Sequence, residues 1–131
     1  MTAGARTAVV VGALGVIGRY IVDRLAADGW QVIGLSRRKG EDRGPVRYIA
    51  VDLLDVADTA AKLAHLREVT HVFYAAFQAA PGKAAGYATN IAANRDMLVN
   101  AVTAIDRASP ALERVVLITG TKYYGTHLGP F

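Results

Sequence analysis

Short runs rich in valine and isoleucine alternate along the chain with longer stretches whose apolar residues return every three or four positions. Runs of the first kind suit strands buried on both faces, and stretches of the second kind suit the helices that cover them. Strands are predicted at Thr7–Gly12, Gln31–Ser36, Val46–Val51, His71–Ala75 and Arg114–Thr119. A first helix is predicted over Val16–Asp28, with Val16, Ile17, Tyr20, Ile21 and Leu25 at helical spacing and Gly29 at its C-terminal stop. A second is predicted over Asp55–Leu66, capped by Asp55. The third and longest runs from Ala84 or Tyr87 to Arg107, with Leu98, Ala101, Val102 and Ile105 as its core stripe and Pro110 barring continuation. The stretch between Ser36 and Val46 is too short for an ordinary helix and reads as a loop.

Right-handed crossovers then impose the strand order 3-2-1-4-5. The expected fold is α/β, a doubly wound parallel sheet with helices on both faces. A complete sheet of this class carries at least one further strand and helix. The chain therefore reads as one domain over residues 1–131, shortened at its C-terminal side.

The glycine motif sharpens this reading. Gly12-Ala13-Leu14-Gly15-Val16-Ile17-Gly18 follows an apolar strand and opens a helix, the context that a dinucleotide fingerprint requires. Gly12 permits the tight turn, Gly15 lets the backbone approach a pyrophosphate, and Gly18 lets helix and strand pack closely. The helix N-terminus presents free N–H groups and a partial positive charge to phosphates. The expected sheet is thus of the Rossmann type, and Leu14, Val16 and Ile17 join the glycines as expected cofactor contacts.

Charge selects the cofactor. The chain carries 15 Lys and Arg against 11 Asp and Glu, a net charge of +4. Most of that excess sits in one place, where Arg37, Arg38, Lys39, Arg43 and Arg47 face only Glu41 and Asp42. A protein that tracks nucleic acid spreads its basic residues along a face, whereas a local cluster suits one small anion, so no nucleic-acid partner is expected. NAD-specific sites place Asp or Glu at the end of the second strand to accept from the ribose 2′-OH. Here Ser36-Arg37-Arg38 holds that place, and an arginine pair can clamp a 2′-phosphate that a carboxylate would repel. NADP(H) is the expected cofactor.

Other residues leave two readings open. Asp52-Leu53 follows the third strand, where the carboxylate could accept from an adenine amino group or cap a helix. Tyr74-Ala75-Ala76-Phe77 ends the fourth strand, as cofactor-site lining or as plain packing. Thr119-Gly120-Thr121-Lys122-Tyr123-Tyr124-Gly125 ends the fifth, where Lys122 could hydrogen-bond the nicotinamide ribose or simply be solvated. Cysteine is absent, and His65, His71 and His127 lack close ligand spacing, so no metal is expected. No apolar run nears the roughly 18 to 20 residues that span a bilayer, and Met1–Arg6 lacks the pattern of a signal peptide. No membrane partner and a cytoplasmic location are the expectations.

Taken together, these residues resemble a short-chain dehydrogenase/reductase of the extended or atypical kind, in particular the progesterone 5β-reductase/iridoid synthase-like group, whose bacterial members are enone reductases. The resemblance runs through the glycine motif, Gly34-Leu35-Ser36-Arg37-Arg38, Val51-Asp52-Leu53-Leu54-Asp55 and Thr70–Phe77. It continues through Asn94 with Met97-Leu98 and Asn100, and ends in Thr119–Gly125 through Gly129-Pro130-Phe131. It implies NADPH hydride transfer to an activated C=C bond, a small-molecule carbonyl or enone substrate, and an oxyanion site shaped by a tyrosine and a lysine. The family's lysine falls on Lys122 as the catalytic candidate, with Asn94 and Thr119 as further cofactor contacts. Its catalytic tyrosine lies in a segment beyond this sequence, as does its substrate lobe, and members are more than twice this length.

Three functions stay in play. An NADPH-dependent reductase represented by its cofactor-binding part is favoured by Lys122, and an NADP(H) sensor without turnover by the missing tyrosine. A structural protein with a vestigial site is opposed by the intact glycines and Arg37-Arg38. If the domain ends at Phe131, uncovered apolar surface predicts marginal stability or self-association into a homo-oligomer.

Overall fold

All five residues of β1 (Thr7–Val11) are buried, because strands pair on both its sides and helices lie over both its faces. The structure, a computed structural model, describes residues 5–78 and 90–119 of the chain. After β1 come α1 (Val16–Ala27), β2 (Gln31–Ser36), β3 (Val46–Ala50), α2 (Val56–Leu63), β4 (His71–Tyr74), α3 (Ile91–Ala108) and β5 (Arg114–Leu117). The strands form one parallel sheet in the order β3-β2-β1-β4-β5, as the crossover rule predicted.

Side chains alternate across that sheet. Ala8, Val10, Val32 and Val46 pack under α1 with Val22 and Leu25, while Val9, Val11, Ile33, Leu35 and Val72 pack under α2 and α3 with Leu63, Ala101 and Ile105. Each strand run is thus apolar throughout because it feeds two cores.

Element boundaries fall one to three residues inside several predicted ones. The β strands lose terminal residues where pairing stops, and α2 ends at Leu63 because the Leu66 N–H turns back onto the Leu63 carbonyl. Asp55 caps α2 as predicted, accepting from the Asp58 N–H at 2.9 Å. Gly29 ends α1 as predicted: its N–H reaches the Ala26 carbonyl and the Trp30 N–H reaches that of Leu25, the paired bonds of a Schellman stop. Residues 84–89, where α3 was expected to begin, lie outside the described residues.

The spacing in α1 left its inward face undecided, and the predicted core stripe of α3 needs correction. In α1 the inward residues are Gly18, Val22 and Leu25, whereas Val16, Ile17 and Tyr20 are 75%, 53% and 71% exposed. The helix has two apolar stripes, and the one that carries the side-chain-free Gly18 faces the sheet, because only that face permits the close approach described below. The other stripe borders a groove with Phe73, Val116 and Ile118 beside the edge strand β5. In α3 the buried positions are Met97, Ala101 and Ile105, with Leu98 partly packed and Val102 only half-buried.

Candidate functional site

The turn from β1 into α1 is built so tightly that two of its positions exclude any side chain. Gly12 has φ +80°, and a Cβ there would lie 2.8 Å from Ala76 Cα in the segment after β4. A Cβ on Gly18 would lie 2.0 Å from the Gly12 carbonyl oxygen. The turn is tied to β2 by the Gly12 and Ala13 N–H groups, which both donate to the Leu35 carbonyl at 3.0 and 3.1 Å. It closes on itself where the Gly15 N–H donates to the Gly12 carbonyl at 3.0 Å.

The end of α1 is left electropositive. Gly15, as N-cap, has no side chain to satisfy the first N–H groups of the helix. Arg19 turns back instead onto the carbonyls, with Nε donating to Gly15 at 3.3 Å and Nη2 to Leu14 at 3.1 Å. Carbonyl oxygens are thereby covered by a cation while N–H groups stay open, which suits an anion.

These N–H groups face a cleft of about 510 Å³ at the carboxyl edge of the sheet. That volume falls within the usual range for small-molecule sites. One wall is the turn itself, Gly12 with Leu14, Gly15, Val16 and Ile17. Ser36, Arg37 and Arg38 from the end of β2 meet Asp52 and Leu53 from the end of β3 at one extremity. Ala75, Ala76 and Phe77 from the end of β4 form the other. Thirteen predicted positions from four separated segments therefore converge. The sequence reading omitted Leu35, Val51, Gln78 and Met97, which line the same cleft. Met97 sat in the quoted Met97-Leu98 piece, and its helical register with Ala101 was the signal that could have found it.

The basic cluster divides. Arg37 and Arg38 are exposed on the cleft and form no ion pair with a described residue. Arg43 leaves for Asp23 on α1, whose carboxylate and hydrogen bond push the guanidinium pKa further up. Asp42 accepts from the Tyr48 N–H at 2.8 Å, which pins the loop to β3. Only the first two arginines are positioned for a cleft ligand.

Asp52 is not the cap of α2, a role that belongs to Asp55. Its Oδ1 accepts from the Leu54 N–H at 3.0 Å, and its own N–H donates to Asp58 at 3.0 Å. That bond, with Lys62, holds the Asp58 carboxyl below the usual range. Asp52 is thereby fixed with its carboxylate at the cleft edge.

Four predicted residues do not line the cleft. Gly18 lies behind the turn. Tyr74 points into the core under α3, with its hydroxyl buried and unpartnered among the described residues. Burial pushes its pKa up to about 12. Asn94 is set back from the cleft, facing the Gln78 main chain. Thr119 is exposed beyond β5. Lys122, Tyr123 and Tyr124 lie outside the described residues. Among the described residues no helix is long and apolar enough to cross a membrane, and no group of acidic or histidine side chains could hold a metal ion.

A glycine-walled turn, an uncapped helix end and a cation pair at one extremity make a dinucleotide site in outline. The profile of the NAD dependent epimerase/dehydratase family matches residues 8–130. The chain belongs to that family. Its relatives include 3-oxo-Delta(4,5)-steroid 5-beta-reductase of Arabidopsis thaliana, 36% identical over 132 residues, covering 95% of this chain and 32% of the relative. (S)-8-oxocitronellyl enol synthase of Nepeta cataria is likewise 36% identical over 133 residues, with the same coverage of 95% and 32%. The chain thus spans about a third of the length of the relatives it matches. Among solved structures, a short-chain dehydrogenase/reductase of Serratia marcescens superposes with a TM-score of 0.71 at 21% identity, covering 89% of this chain and 57% of its own, a likeness of fold.

Proposed function

We propose that this chain is the NADP(H)-binding part of a cytoplasmic reductase that reduces the C=C bond of an α,β-unsaturated carbonyl compound. The observation that carries the cofactor reading is that Arg37 and Arg38 share one cleft with the glycine turn and stand at the end of β2 where an NAD site carries Asp or Glu. The residues fit the group. The open N–H groups at the start of α1 suit its diphosphate, the arginine pair suits a 2′-phosphate, and the Asp52 carboxylate would accept from an adenine amino group. Small Ala75 and Ala76 leave room where the nicotinamide end belongs.

Bound there, the cofactor supplies hydride for the β-carbon of the enone. The chain's own part is to hold it and to keep the phosphates neutralised. The substrate class is supported by the two relatives, one named for a steroid reductase and one for an enol synthase. By the resemblance, Lys122 would orient the nicotinamide ribose and add positive charge beside the developing enolate oxygen. The remainder of the parent protein would supply the tyrosine and the substrate pocket. The parent's partners are then small molecules, with a homo-oligomer as the expected assembly.

Titration of the chain with NADPH and NADH, followed by nucleotide fluorescence, tests the reading. Charge-assisted hydrogen bonds contribute about 1.5–3 kcal/mol each, so NADPH should bind at least ~10-fold more tightly than NADH. Arg37→Ala with Arg38→Ala should erase that margin while leaving NADH affinity within about twofold. Equal affinity of the unmodified chain for both nucleotides would sink the NADP(H) assignment.

A further inference from the structure

We propose that Asn94 is a positioning residue, which acts on the nicotinamide end of the cleft through the Gln78 main chain without touching the ligand. This rests on the cofactor reading above and adds a role to a residue that lies outside the cleft.

The wall formed by residues 75–78 leaves the sheet at a single point, where the Ala75 N–H donates to the Val11 carbonyl at 2.9 Å. At its far end it is held by side chains of α3. Asn94 Oδ1 accepts from the Gln78 N–H at 2.9 Å, and Asn94 Nδ2 donates to the Gln78 carbonyl at 2.9 Å. The Nδ2 group also donates to the carbonyl of Asn90, the N-cap of α3, at 3.0 Å, and Asn90 Nδ2 adds a second donor to the Gln78 carbonyl.

A carboxamide suits this task because it carries a donor and an acceptor on one rigid plane. Gripping both the N–H and the C=O of one residue fixes the rotation of the main chain as well as its position. Both amide hydrogens of Asn94 are thereby occupied, and neither remains for a ligand. The segment that it fixes is the one against which Gly12 packs with no room for a Cβ. A shift of Gln78 therefore transmits to Ala76 and to the β4 side of the cleft. The opposite end rests on different supports: Arg37 and Arg38 follow β2, and Leu53 is held through its carbonyl by Asn100 Nδ2 at 2.8 Å.

The two ends can be read separately with two probes. Adenosine 2′,5′-bisphosphate reaches from the arginine and Asp52 end only as far as the glycine turn, with its 5′-phosphate, whereas NADPH also fills the end walled by residues 75–78. Asn94→Ala should weaken NADPH about 10-fold, the equivalent of losing one or two hydrogen bonds, and leave the bisphosphate within about twofold. Asn94→Asp keeps the acceptor but loses both donors. A carboxylate oxygen would then face the Gln78 and Asn90 carbonyl oxygens where an N–H stood, so the melting temperature of each variant is measured beside its affinities. The NADPH affinity of Asn94→Asp should still fall while that for the bisphosphate holds. A residue that merely stabilised the domain would weaken both probes together, in step with the fall in melting temperature of each variant.

Equal loss of both probes, or unchanged NADPH affinity in both variants, overturns the proposal and leaves the cofactor reading intact. Failure of the unmodified chain to bind either probe takes down both.

Discussion

Gly18→Ala opposes two effects whose sizes can be compared. Gly18 sits in the first turn of α1, and alanine is the better helix former by about 1 kcal/mol, so propensity alone predicts a more stable chain. The contact predicts the reverse. The added Cβ would lie 2.0 Å from the Gly12 oxygen, 2.7 Å from Gly12 C and 3.0 Å from Ala13 Cα. To reach an ordinary 3.4 Å separation from that oxygen, helix and turn must part by about 1.4 Å. All three obstacles are main-chain atoms of a turn bonded to Leu35, so no side-chain rotation relieves them. Overpacking of this kind costs about 1–3 kcal/mol, and rigid obstacles place it at the upper end. The net expectation is a loss of about 1–2 kcal/mol, read as a lower urea midpoint with an unchanged slope. The same displacement carries the open N–H groups away from where phosphates would sit. NADPH affinity should therefore fall by at least ~10-fold, as hydrogen bonds to charged groups contribute about 1.5–3 kcal/mol each. A variant that is as stable as the parent and binds NADPH as tightly would show that helix and turn do not approach in this way.

Two further outcomes are expected. Tyr74→Phe removes a buried hydroxyl that has no partner among the described residues, so the chain should gain up to about 1 kcal/mol in urea denaturation. Because burial raises the folded pKa to about 12 from 10.0, the parent's stability should be intact below the unfolded value and fall as pH rises through that window, a loss that the variant should lack. The groove lined by Tyr20, Phe73, Val116 and Ile118, with Val16 and Ile17 at its rim, should make the 131-residue chain associate with itself; light scattering should show species larger than a monomer, reduced by Tyr20→Ser. A monomer at all concentrations, with no change in the variant, would contradict that expectation.

Much of the fold was legible because local chemistry and global topology agree. Five valine- and isoleucine-rich runs, the Asp55 cap and the Gly29 stop could be read one segment at a time, and chain handedness then left one strand order. The glycine turn was legible for the same reason: its close packing requires residues without side chains at fixed spacing, next to a strand and before a helix. What local patterns could not give was which of two apolar stripes on α1 faces inward. Val16, Ile17 and Tyr20 share helical spacing with the buried Leu25, and only the contact between Gly18 and Gly12 turned them outward. Nor could they say where Arg43 of the same charge cluster goes, which only the approach of Asp23 on α1 decided.

The sequence by itself determined the sheet, its order and the glycine turn between β1 and α1, because these depend on backbone conformation and on residues near one another in the chain. Tertiary structure alone decided that Asn94, sixteen positions from Gln78, holds the main chain of the cleft wall. It also decided that Tyr74 turns away from the cleft. Hydrogen bonds and burial between distant segments depend on three-dimensional distances, which no spacing along the chain encodes.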